Sequence, residues 1–236
     1  DPSLMSPEAN EQLQEAYKAL AVVNGSTALP RNPSPAKQLR VLDVSTRVQK
    51  MRGVDVQHAD VRWAIERRDG SRDEALLPAG AGLIQEGIAF FLEEFVRLGR
   101  VTLDMSGVSP PPLYPYVAYR TLVNHLAPDA SALSAVRIGT LALCTNRPGA
   151  MLVHALRGYQ RVRSQGAEDR RACEIVRDSL CAPLNAIVQR ICSQELAELA
   201  SMHLERGIVG TGHAIILEEF RDLLSRRAAS PWWDLE

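Results

Sequence analysis

The sequence predicts an all-α protein, an irregular bundle of eight to nine helices with an extended N-terminal arm and a short non-helical C-terminal tail. Three observations lead there. Aromatic residues make up only 5% of the chain while Ala, Leu, Val and Arg abound, a mix that favours helices packed through aliphatic side chains over a β-sandwich. In "GLIQEGIAFFLEEFVRL" (82–98), Ile84, Ile88, Phe91, Phe95 and Leu98 recur at spacings of four, three, four and three, which is one face of an α-helix. In the second half, Pro128, Pro148, Pro183 and Gly207 punctuate a series of helical stretches.

Taken in order, Ser6-Pro7 supplies an N-cap and first helical residue for a helix over 7–23, and Asn24-Gly25 closes it. "STALPRNPSP" (26–35) reads as a linker, and Ser34-Pro35 starts a second helix reaching about Met51, with Leu39, Leu42 and Val48 as its apolar positions. A third short helix is expected over 57–68, carrying Trp63, followed by a turn and loop over 67–82. After the 82–98 helix, residues 100–116 become proline-rich and extended. Further helices are expected over 116–126, 131–145, 148–164, 168–181, 184–205 and 212–227, and the chain is non-helical from Pro231. The organisation is an arm and linker (1–35), a helical core (36–227) and a tail (228–236), and 236 residues can bury one good core or two small ones.

The 82–98 segment returns as "GIVGTGHAIILEEFRDL" (207–223), identical at eight of seventeen positions. Four carboxylates in a duplicated motif raise a two-metal bundle, but such a site needs inward glutamates and Glu-x-x-His pairs, and no Glu-x-x-His occurs. The reading is one packing solution used twice, with Glu93 and Glu94 turned to solvent beside Arg97 and Glu218 beside Arg221. His213 replaces Ile88 on the apolar stripe and reads as a core or interface histidine.

Other catalytic signatures are missing. "GIVGTG" (207–212) follows a helix and fits neither phosphate-loop pattern, and no GxSxG, HExxH or zinc-type cluster appears. Neither a metal nor another cofactor is expected, and the chain is read as a non-enzyme. Cys144, Cys173, Cys181 and Cys192 lack CxxC spacing and read as free thiols in a reducing compartment. No signal peptide is visible in "DPSLMSPEAN", and no apolar run approaches the length of a membrane span. The expected location is therefore an intracellular reducing compartment or a virion. The stretch 149–192, chiefly "LCAPLNAIV", resembles part of the equatorial domain of group I chaperonins. Their aspartate-glycine-threonine nucleotide motif is absent, so the resemblance implies no ATP site.

Charge is the most informative remaining feature. The chain nets −1, which excludes a generally basic nucleic-acid binder and requires any such site to be local. Residues 31–72 hold ten Lys/Arg against five acids, a net of +5, and residues 157–177 hold six arginines against three acids, a net of +3. Residues 1–30 net −3 and residues 195–236 net −4. Arginine forks grip phosphate oxygens bidentately. Arg47, Lys50, Arg52, Arg157, Arg161, Arg163, Arg170 and Arg171 are therefore the expected nucleic-acid contacts, with Tyr159 in "RGYQRVR" offered for base stacking. Tyr114 and Tyr116 in "SPPPLYPY", and Trp232 and Trp233 in "SPWW", are the expected subunit contacts.

The function expected from these features is a self-assembling helical protein of the coat or nucleoprotein kind. It would bind single-stranded nucleic acid, RNA first, and engage no membrane. A helical adaptor holding a protein partner through the proline and aromatic segments is the alternative, and a small-molecule enzyme within the bundle the third.

Overall fold

The computed structural model describes residues 7–51, 54–98 and 113–190, together with 194, 196, 198, 201, 211, 215–219, 221–223, 225 and 226. It overturns the all-α expectation. A helix α1 (Pro7–Asn24) is followed by three strands, β1 (Ala36–Met51), β2 (Val54–Arg67) and β3 (Arg72–Ala79). Then come α2 (Ala81–Leu98), α3 (Ala118–Leu126), α4 (Ala132–Leu143), α5 (Pro148–Ser164) and α6 (Asp169–Arg190). The strands form an antiparallel meander in the order β1-β2-β3, so the architecture is mixed helix and sheet. The two helices expected within 36–68, and the loop expected over 67–82, are instead this sheet.

The composition of the segment explains the strands. Val41, Val44, Thr46, Val48, Val56, Val61, Trp63 and Ile65 are β-branched or aromatic residues that suit a pleated surface. From Val61 on, β2 alternates: Val61, Trp63, Ile65 and Arg67 are buried, while Arg62 is exposed and Ala64 and Glu66 are half-buried. In β1 the register shifts between Val41 and Asp43, so Leu42 is an extra residue. That bulge makes apolar side chains fall at 39, 41, 42 and 44, which imitates a helical face.

Leu39, Val41 and Val44 of β1 join Val61, Trp63 and Ile65 of β2 on the inner face. Trp63 is 1% exposed and meets the Tyr114 ring edge-on at 6.4 Å. The helices close the core. α2 packs on α4, and α4 on α5. Tyr119 of α3 is fully buried and donates to the Ala135 carbonyl of α4 at 2.7 Å. A Cβ on Gly87 of α2 would overlap the Tyr119 ring, so glycine is what lets α2 and α3 meet. Gly25, at φ +69°, ends α1 against the backbone of Gly80, where no side chain fits.

The helical expectations outside the sheet hold for α1, α2, α4 and α5 within a few residues. α6 runs through Pro183 without the break expected there. Compact units span Asp1–Cys173 and Glu174–Glu236, a division within α6 that no composition shift marks. In the second unit, Arg226 pairs with Asp222 at 2.6 Å and Arg221 with Glu218 at 3.5 Å.

At the described positions the two repeated segments differ in burial. In α2, Ile84, Phe91 and Glu94 are buried, so Glu94 belongs to the inner face and only Glu93 stands outside. In the second copy, Ile216, which matches Phe91, is 63% exposed, and Leu223 is also exposed. His213 and Phe220 lie outside the described residues.

Candidate functional site

The outer face of the sheet carries the charge. Strand register sets Gln38, Glu66 and Arg72 in one row, then Arg40, Ala64 and Glu74, then Asp43, Arg62 and Leu76, then Ser45, Asp60 and Pro78. Directly opposed residues share a face and lie within side-chain reach. Lys37 Nζ bonds Glu66 Oε1 at 3.0 Å. That bond, with the Lys37 charge, holds the Glu66 carboxyl below its ordinary range against a smaller opposing effect of desolvation. Arg40, Arg62 and Arg72 are exposed, and no described residue bonds their guanidinium groups. A shallow depression lies over Ala64, lined by Gln38, Arg40, Glu66 and Arg72.

Asp60 is the outer-face exception. It is buried, receives Arg47 Nε at 2.6 Å, and has His58 Nε2 at 3.4 Å. At the sheet end, buried Arg67 binds Asp73 at 2.6 Å and the Ser34 carbonyl at 3.0 Å, fastening the linker.

The expected nucleic-acid residues separate into different environments. Arg157 Nη2 donates to the Val44 carbonyl of edge strand β1 at 2.8 Å, which brings the two basic stretches into contact at one point. Arg161, one turn beyond, is exposed. Arg163 is half-buried and closes the turn after α5 through the Ala167 carbonyl at 2.6 Å. Arg170 and Arg171 are exposed at the start of α6 and engaged in interactions of their own. Arg47 is tied to Asp60, Lys50 is exposed near the end of β1, and Arg52 lies outside the described residues.

A single groove does not form from these positions. At its N-terminus α5 touches the hairpin end of the sheet, with Arg147 bonded to Gln57, whereas Arg157 lies at Val44. The helix therefore runs away from the hairpin, carrying Arg161 towards the Arg40 end of β1 and away from Lys50.

Tyr159 corrects the stacking assignment. It is fully buried, and its hydroxyl donates to Asp169. Ser131 and Ser134 hydroxyls also donate to Asp169, at 2.9 and 2.8 Å. Burial pushes the Asp169 carboxyl up, but these bonds outweigh it and the net shift is downward. Burial and the Asp169 contact push the Tyr159 phenol well above its ordinary value. The cluster joins α4, α5 and α6 as a structural tie.

The tyrosines expected at subunit contacts are also held internally. Tyr114 is buried, donates to the Ser26 carbonyl at 2.9 Å, and has its phenol pushed up to about 12 by desolvation. Half-buried Tyr116 packs on Phe90 at 5.7 Å, and the neighbouring Glu86 carboxyl raises its phenol. Trp232 and Trp233 lie outside the described residues.

Arg40 and Arg62 are exposed cations that reading 36–68 as helical left unselected, and Arg72 is another in the stretch read as a loop. Period-two alternation in "VRWAIER" was the signal for Arg62, since it puts Arg62 and Glu66 on the face opposite Trp63 and Ile65. Cys144 and Cys173 are free thiols, while Cys181 and Cys192 side chains lie outside the described residues. Among the described residues, no group of three or more His, Cys, Asp or Glu side chains could hold a metal, and no helix is long and apolar enough to cross a membrane.

No family model, curated protein or solved structure matches the chain. The coat-protein, nucleoprotein and virion assignments thus have no support from the comparisons, and the architecture is mixed helix and sheet where all-α was expected.

Proposed function

We propose that this chain is a non-enzymatic binding subunit that holds the phosphate backbone of single-stranded nucleic acid along the β1 side of its sheet. The observation that carries the reading is the Arg157–Val44 bond at 2.8 Å, which sets the basic end of α5 against the strand bearing Arg40. Arg40, Arg62, Arg72 and Arg161 are exposed, and no described residue bonds their guanidinium groups. The contact is to phosphate, because Tyr159 is unavailable for stacking, so binding is independent of base sequence.

Anisotropy of a labelled oligouridylate across a salt series tests this. Binding to single strands weakens with a log–log slope of about −0.7 per neutralised phosphate. Arg161→Ala is expected to lower affinity and reduce the slope by roughly that amount, at unchanged circular dichroism. Salt-indifferent binding, or an Arg161→Ala protein equal to its parent, refutes the reading.

A second reading, association of copies through α1, is favoured by one observation. Tyr17 and Leu20 are 63% and 53% exposed on this helix, and an acidic segment (1–30) would face basic surface on a neighbour. Light scattering should show a multimer that Tyr17→Ser/Leu20→Ser converts to monomer. A monomeric parent removes this reading and leaves the first intact.

A further inference from the structure

We infer that the depression over Ala64 is a discrete subsite for one phosphodiester group, an inference that rests on the nucleic-acid reading above and gives it an address. The depression exists because of side-chain size. On the outer face of β2, Ala64 stands between Arg62 and Glu66, two long side chains, and its methyl leaves the floor open. Arg40 is directly across on β1, and Arg72 is diagonal on β3. With strands about 4.8 Å apart and about 6.7 Å per residue pair, those two backbones stand roughly 12 Å apart on either side of the floor. Two guanidinium forks reaching inward over that span can close on the oxygens of one phosphate. Gln38 adds an amide to the lining.

The local charge selects the ligand class. Glu66 is on the rim, its carboxylate bonded by Lys37 at 3.0 Å and lying within the field of the Arg72 charge. Glu74 lies across from Ala64 on the other side. Among the charged residues that line the depression, Arg40 and Arg72 against Glu66 leave a single net positive charge, which matches the single negative charge of a backbone diester and underserves a dianionic phosphate monoester. No Trp, Tyr or Phe stands on the outer rows of the described strands, so the subsite grips backbone and leaves bases unread.

Ala64→Leu tests the subsite by filling the floor of this half-buried, outer-face position without changing any charge. In the 236-residue chain, oligouridylate should shift the Arg40 and Arg72 Nε–H resonances of the parent. Ala64→Leu should lose those shifts and bind about tenfold more weakly at low salt, with unchanged thermal midpoint. Arg72→Gln gives an independent measure should leucine disturb the strand, and is expected to weaken binding to a similar degree. Inorganic phosphate is the second probe: shifts of the same resonances by phosphate, with no oligouridylate bound, would make the ligand a free anion and overturn the diester assignment. If Ala64→Leu and Arg72→Gln both bind as the parent does while Arg161→Ala weakens binding, the subsite is wrong and the wider reading stands. If the parent binds no oligouridylate, the wider reading fails with it.

Discussion

Alternate residues of the same three strands build two surfaces with opposite tolerances. Inward, Val41, Trp63 and Ala75 share a row in which all three side chains are buried. Outward, one residue along β2, Asp43, Arg62 and Leu76 share a row in which all three are exposed. A single-residue slip would exchange these sets, so the inner row fixes the register and the outer row is free to carry binding chemistry. The difference teaches where to look for function in this chain: among side chains the fold does not consume.

The largest test of that contrast is Trp63→Ala. It removes a fully desolvated indole and its edge contact with Tyr114. A loss of about 3–5 kcal/mol is expected, read as a lower urea midpoint. A loss below about 1 kcal/mol would mean the inner row is not the core.

Tyr159→Phe comes next. Losing the hydroxyl that bonds Asp169 is expected to cost on the order of 1–3 kcal/mol. The pH dependence sharpens it. Asp169 ionises below its ordinary range in the fold, so its stabilisation is complete above the unfolded-chain value of about 3.9 and is lost as pH falls through the lower folded value. Phenylalanine should shrink that acid-side loss, and acid titrations of the two proteins that run parallel would remove Asp169 as the cause.

The smallest effect is expected at Arg62→Ala, an exposed outer-row position. Stability should stay within about 0.5 kcal/mol. A larger loss by thermal denaturation would show that the outer row is structural as well.

Most helices were legible because their apolar spacing and stop signals agree. Pro148 opens α5 and Ser131 caps α4 through a bond to the Ser134 amide at 3.1 Å, both visible as residue types in sequence. The sheet was hidden by Leu42: the bulge broke the alternation in β1 and made Leu39 and Leu42 look like one helical face. Ala64 could not be recognised at all without strand register, since an alanine advertises nothing until its neighbours across the sheet are known. Arg157 and Arg163 illustrate the opposite error, where charge suggested ligand contact but the groups bond carbonyls of the fold.

The same Arg157 bond to Val44 has a bearing on solubility. An open three-stranded meander leaves β1 as an outer strand that another chain could extend. A guanidinium seated on one of its carbonyls and a bulge two residues earlier interrupt the flat ladder such an addition needs. Both features work against the addition of another strand at this edge.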